Sequence, residues 1–316
     1  MSAPYKLFYA SDIHGSEKCF LKFINAGKFY KANALILGGD ITGKMVVPLL
    51  DKGGRWEARF LGRDFVAEND AERAEIEKNV RMNGFYPVVL SPEEHKHFQE
   101  NEAARTEMID RVVLAATKRW IGIAEERLHG TGIRCLINAG NDDDGYIDEA
   151  LRQSSVVENH DGGVTDLTEN VQMAVCGYSN TTPFDSPREM PEDKLEAHIE
   201  TILTKLKSPR DAIFTLHVPP HNAGIDSAPL LRDGKVVTEG GHTVMTAVGS
   251  TAVRGIIERH QPMLALHGHI HESRGTKQIG RTLCINPGSE YSEGVLRGAL
   301  VTFRGTKLAG HQLVQA

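Results

Sequence analysis

The chain has 316 residues and a formal net charge of -6, from 36 Lys and Arg against 42 Asp and Glu. That length can bury a substantial core, while the acidic balance leaves no basic footprint of a dedicated nucleic-acid binder. No stretch reaches the ~18 apolar residues of a membrane span, and the opening MSAPYKLFYASDIHG has neither a charged start with a long apolar stretch nor a cleavage site, so the expected location is the cytoplasm.

In chain order, the first apolar run is KLFYA (6–10), which stops at SDIHG. Ser16 is a plausible N-cap for a helix to Lys31, with Cys19, Phe20, Phe23 and Ile24 on one stripe. A second run, ALIL (34–37), stops at GGD. Residues 45–131 then break the rhythm, with helical signals only. A weaker helix covers Glu68 to Met82, and Ser91-Pro92-Glu93-Glu94 is a capping box that opens a pattern reaching Leu128. About 37 residues at ~1.5 Å each make a rod of roughly 55 Å unless it kinks at Gly122. This segment is expected to be an inserted helical cap whose apolar stripe packs on the core, on itself or on another subunit in a homo-oligomer.

Beyond it, IRCLI (133–137) stops at NAGND, AIFTL (212–216) at HVPP and MLAL (263–266) at HGHIH. Helical patterns lie over Met190–Leu206 and Ser250–His260, while Pro219–Gly249 reads as one long, turn-rich loop of the kind that carries function. Candidate strands at Thr282–Ile285, Ala299–Phe303 and Gln312–Val314 follow without helices, and a second sheet packed on the first is expected there. Short apolar runs alternating with helices indicate an α/β fold, treated as a single domain over 1–316 with the insertion at 45–131. Cys19, Cys135, Cys176 and Cys284 have no metal-type spacing and sit in apolar sequence, so buried free thiols are expected.

The residues after the runs carry the chemistry. Asp12 and His14, Asp40, Asn141, His217, and His269 with His271 all follow candidate strands, and right-handed crossovers bring such ends to one edge of a sheet. Carboxylate, amide and imidazole donors suit divalent ions such as manganese, iron or zinc rather than thiolate-seeking ones. Seven donors are too many for one tetrahedral ion but fit two ions sharing a bridging carboxylate. Each piece alone is weak; their order and placement make the set.

The series DIH, GGD, GND, HVPP and GHIH, followed by INPGS (285–289), resembles the calcineurin-like metallophosphoesterase superfamily, of the prokaryotic predicted phosphoesterase type. The resemblance covers 5–44 and 132–303. It implies an α/β/β/α sandwich in four layers and a dinuclear centre in which Asp12, His14 and His271 hold one divalent ion, Asn141, His217 and His269 the other, and Asp40 bridges them. Manganese is the first expectation, with iron, zinc, nickel and magnesium as alternatives. The implied activity is hydrolysis of a small phosphomonoester or phosphodiester by metal-activated hydroxide. The other readings are a nuclease and a non-catalytic interaction module using the long insertion helix.

One departure stands out. The family's third motif is Gly-Asn-His-Asp, but this chain has Gly140-Asn141-Asp142-Asp143. A carboxylate beside two cations is ionised at neutral pH and cannot donate a proton, so acid assistance to the leaving group is in doubt. Asp142 is then a structural or metal-facing carboxylate, or His221 substitutes for the missing histidine, or the site is slow.

Overall fold

The computed structural model describes residues 3–316. From the N-terminus come β1 (Tyr5–Ala10), α1 (Glu17–Tyr30) and β2 (Ala34–Leu37), and then an insertion of β3 (Val46–Asp51), β4 (Trp56–Phe60), β5 (Arg63–Ala67), α2 (Asp70–Met82), β6 (Tyr86–Leu90), α3 (Pro92–Glu100) and α4 (Glu102–Leu128). The main body resumes with β7 (Arg134–Ile137), α5 (Gly145–Arg152), β8 (Val157–Glu158), β9 (Gly163–Thr168), β10 (Val171–Cys176), α6 (Glu192–Leu203), β11 (Ile213–Leu216) and α7 (Thr251–His260). It closes with β12 (Leu264–Leu266), β13 (Gly275–Ile279), β14 (Thr282–Asn286), β15 (Arg297–Arg304) and β16 (Lys307–Gln315).

Two six-stranded sheets form the centre, in the orders β16-β15-β1-β2-β7-β8 and β13-β14-β12-β11-β10-β9. Strands β1, β2 and β7 run parallel in the first, and β10, β11, β12 and β14 run parallel in the second. Three apolar cores set the layering. Leu7, Tyr9, Ile36 and Leu136 of the first sheet meet Met173, Ile213, Leu264 and Ile285 of the second. The opposite face of the first sheet, with Phe8, Leu35, Leu37 and Ile137, packs on α1, α4 and α5. The outer face of the second, with Ala174, Phe214 and Ala265, packs on α6 and α7. Both faces of β1 and β2 are therefore buried, which is why their sequences read as unbroken apolar runs. All four cysteines are buried and free.

Three expectations need correction. The insertion is mixed rather than helical, since β3 to β6 make a four-stranded sheet in the order β5-β4-β3-β6 with its own small core around Val47, Leu49, Phe60 and Val80. The long rod is two helices, and the break falls at Asn101 rather than Gly122. Asn101, at φ -120 and ψ 109, ends α3 and caps α4 with a side chain that accepts from the Ala104 N–H. Gly122 has nothing within 4 Å of a Cβ position, so it stays helical without crowding. Finally, the C-terminal strands split: β14 belongs to the second sheet, whereas β15 and β16 extend the first, with β15 antiparallel to β1.

The stripe of α4 is occupied by the main core. Val113, Ala116, Trp120, Ala124 and Leu128 pack there, and Trp120 stacks on Phe20 of α1 at 4.6 Å with planes 9° apart. Nor is 219–249 one irregular loop, because Ser227–Pro229 pairs with Met245–Ala247, Leu231–Arg232 with Lys235–Val236, and Thr238–Glu239 with His242–Thr243. No helix among the described residues is long and apolar enough to cross a membrane.

Candidate metal centre

The ends of β1, β2 and β7 come from the first sheet and those of β11 and β12 from the second. Stacking the two sheets brings the five ends together, so the expected edge is an edge of two sheets rather than of one. Backbone bonds tie the loops: Asp12 N–H donates to Gly39 O and His14 N–H to Asp40 O, each at 3.0 Å, and Gly268 N–H to His217 O at 2.8 Å. Asp12, His14, Asp40 and His269 all adopt left-handed backbone, at φ 57, 38, 47 and 65. That costs about 1–3 kcal/mol for each non-glycine residue and survives only where surroundings over-determine it.

Two triads result. Asp12, His14 and His271 form one, Asp40, His217 and His269 the other, and within each the donor atoms lie within 4.8 Å of one another. His14 Nε2 and His271 Nε2 approach to 3.1 Å, and His14 Nε2 is 3.7 Å from Asp40 Oδ2. His217 Nε2 lies 3.3 Å from Asp40 Oδ2 and 3.8 Å from Asp12 Oδ1, so the two triads share one pocket with Asp40 between them. Its Nδ1 is turned to Gly38 O at 3.2 Å, which leaves Nε2 for the pocket.

The charges of the set depend strongly on one another. Burial pushes Asp40 up, but the positive charge of His217, with His14 and His269 behind it, holds its carboxyl far below the usual range. Burial pulls His217 down, yet Asp40 and Asp12 push it up to about 9. His269 is pulled down to about 4 by burial and by the charge on His217.

The donor set fits divalent ions. Asn141 is buried and its Oδ1 finds no hydrogen-bond partner, and His217 Nε2, though close to Asp40, is not aligned to bond it. Buried polar atoms left without partners cost about 1–3 kcal/mol each, a cost that coordination removes. Asn141 is held by its neighbours: a Cβ on Gly140 would collide with Asp40 Oδ1, and the Asp142 N–H donates to that same oxygen at 2.9 Å.

The third motif is divided in its roles. Asp143, fully buried, accepts from Ile41 N–H, Gly140 N–H and both the N–H and hydroxyl of Thr42, at 2.5–3.0 Å, and so staples the GGD loop to the GND loop. Asp142 stays at the rim, with Oδ1 on Lys44 Nζ at 2.8 Å and Oδ2 3.9 Å from His14 Nδ1. Asp144 begins α5 without a side-chain cap bond. His221 is half-open to solvent, and its charged neighbour is Asp226 at 4.0 Å. No hydrogen bond or ion pair joins it to either triad among the described residues.

Several supports were not singled out in the sequence. Asn286 is fully buried and its amide donates to Ile225 O, Gly268 O and Ile270 O, while Ser289 Oγ donates to Asp12 O at 2.6 Å. These bonds give INPGS its physical meaning, because they lock the loop bearing His269 and His271 against the one bearing Asp12. Tyr291 closes the first triad, its ring centroid 4.8 Å from that of His14. At the start of α7 the backbone N–H groups of Thr251 and Ala252 hold the carboxylate of Glu192, and Ser250 caps the helix by accepting from the Val253 N–H.

A two-sheet sandwich with paired Asp/His triads at the ends of its parallel strands is the decisive pattern. The fold is that of the calcineurin-like metallophosphoesterases. A solved structure with 18% identity matches at a TM-score of 0.57 over 99% of both chains, and the crystal structure of the protein TT1561 of Thermus thermophilus matches at 0.52 with 15% identity over 96% of this chain and 99% of its own. An uncharacterized protein of Methanocaldococcus jannaschii is 34% identical over 122 residues, 38% of this chain; the match spans about half the length of that relative. No family profile matches the chain. What this metallophosphoesterase fold supplies here is a platform of two His/Asp clusters able to hold metal ions.

Proposed function

We propose that the protein hydrolyses a small phosphate ester at a dinuclear metal centre. The observation that carries the reading is the pair of triads with Asp40 between them, together with the buried, partnerless Oδ1 of Asn141, whose neighbour Asp142 donates its N–H to Asp40. In this reading Asp12, His14 and His271 hold one ion, His217, His269 and Asn141 the other, and Asp40 serves both. Two divalent ions bound there supply positive charge to the phosphate oxygens and lower the pKa of a water molecule towards ~7. The chain's own contribution is position. Left-handed backbone at four of the donors, the Asp143 staple and the Asn286 lock keep the donors aimed at one pocket, so little reorganisation accompanies reaction. Manganese is the first ion to try, since oxygen and imidazole donors without thiolate accept it well.

Protein loaded with manganese is expected to hydrolyse nitrophenyl mono- or diesters and to lose that activity on chelation. Two bound equivalents of metal with no ester turned over would sink the catalytic reading. Less than one equivalent would sink the metal centre itself.

A further inference from the structure

The rim of the site carries a cation that nothing above uses. Lys44 follows the GGD loop and its Nζ rests on Asp142 Oδ1 at 2.8 Å, while the other oxygen of Asp142 faces His14 Nδ1. Its backbone is pinned beside the first triad: Gly43 N–H donates to Tyr86 Oη at 3.0 Å, and a Cβ on Gly43 would lie 2.7 Å from His14 O. Tyr86 is itself buried and anchored in the insertion sheet, so β6 fixes the place of Lys44.

We infer that Lys44, oriented by Asp142, is the catalytic cation over the leaving-group side of the site, and that the chain therefore acts on phosphate esters whose leaving group departs as an anion. The inference rests on the phosphoesterase reading. Its basis is the pairing itself: Asp142 follows Asn141 directly, one of its oxygens lies 3.9 Å from His14 Nδ1 and the other holds the Lys44 ammonium at 2.8 Å, so the cation stands one carboxylate away from the first triad. The side chain of Lys44 is 42% exposed, so an incoming phosphate ester can reach it without displacing a buried contact. Burial lowers the pKa of Lys44, but the bond to Asp142 and the nearby carboxylates of Asp144 and Asp143 outweigh it and raise it above the ordinary value. Lys44 stays charged and acts by electrostatics rather than by giving up a proton.

The step balances without a general acid. The oxygen of a water-derived hydroxide forms a bond to phosphorus as the P–O bond to the leaving group breaks. The electron pair stays on the leaving oxygen, which departs as an anion beside Lys44 and takes its proton from solvent. Esters of acidic alcohols and phenols are thereby favoured over simple alkyl esters.

The test uses the full chain loaded with manganese, a series of aryl phosphate esters of graded leaving-group acidity, and inorganic phosphate as a binding probe. Lys44→Ala is expected to keep its metal content, to lose about 10²-fold in kcat, and to bind phosphate about tenfold more weakly by calorimetry. Its rate should also fall more steeply as the leaving group becomes less acidic. Lys44→Arg should recover most of the loss, and Asp142→Asn, which frees the ammonium, should reproduce part of it. If the wild type turns over esters but Lys44→Ala keeps the same rate and slope, this inference fails and the phosphoesterase reading stands. A loss equal for all leaving groups and matched by lost metal would assign Lys44 a structural role, which also overturns it. A wild type that binds two ions and cleaves no ester removes both.

Discussion

Asn141 and Asp142 are adjacent but their side chains serve different ends. The first has a buried oxygen without a partner and the second an ion pair at the rim. Asn141→Ala is therefore expected to lose the second ion and about 10²-fold or more in turnover, and Asp142→Ala to keep both ions with a smaller loss, as read by metal analysis and steady-state rates. Equal losses of metal and turnover in the two variants would contradict the ordering. Asn286 is a second residue whose value is positional. Replacing it by Ala removes the two amide N–H groups that the carbonyls of Ile225, Gly268 and Ile270 share, which should cost about 2–3 kcal/mol and weaken metal binding by 10–100-fold. Denaturant unfolding with and without manganese reads both effects. The donors themselves were legible because each stands directly after an apolar run. INPGS was legible as a motif, but the bonds of its Asn286 and Ser289 were not, and Lys44 gave no sign at all, since their partners lie 16 to 277 residues away in the chain.

Strand β8 is two residues long, and an ion pair holds it to β7. Arg134 donates to both oxygens of Glu158 at 2.8 and 2.6 Å, and His160 approaches the same carboxylate at 2.9 Å. Burial pushes Glu158 up, but Arg134 and then His160 prevail and hold it at about 2, below the ordinary 4.5. A depressed carboxylate stabilises the fold while ionised, so the contribution is full above about pH 4.5 and disappears as pH falls towards 2. With 32% of the side chain exposed, screening limits it to about 1 kcal/mol. Glu158→Gln should be less stable than the wild type at pH 6 and indistinguishable from it near pH 2 in thermal unfolding. A gap that persists at low pH would mean the contact is not ionic.

The missed strands of the insertion belong to this scale too. Pro48 and Pro87 interrupt VVPLL and YPVVL, and proline argues against a central strand because it cannot donate to the ladder. Both are tolerated here for visible reasons. The β3–β4 pairing runs only from Leu49 to Asp51, which leaves Pro48 beyond it, and β6 is an edge strand. Likewise Asn101 can end one helix and begin the next because its side chain caps the second, a geometry that helical periodicity does not reveal.

For the molecule as a whole, the centre joins two sheets that otherwise meet through an apolar interface. Ions bound to both triads should therefore stabilise the fold rather than merely serve it. At a free concentration 100 times its Kd, one ion adds about 2.7 kcal/mol, which should raise the melting temperature by several degrees and be reversed by a chelator. An unchanged melting temperature at saturating manganese would show that the centre does not bind it.

What the sequence by itself determined was the alternation of buried strands and helices, the caps at Ser16 and Ser91, and the residue types at the strand ends. Those are local matters, set by burial periodicity and by backbone groups that must find partners within a few residues. The tertiary structure alone decided that the strand ends come from two sheets rather than one, that Asp143 is a staple, and that Asp142 meets Lys44. Each of these depends on contacts between segments about a hundred residues or more apart, which no local pattern encodes, and the packing of the two sheets on a common core is what brings them within reach.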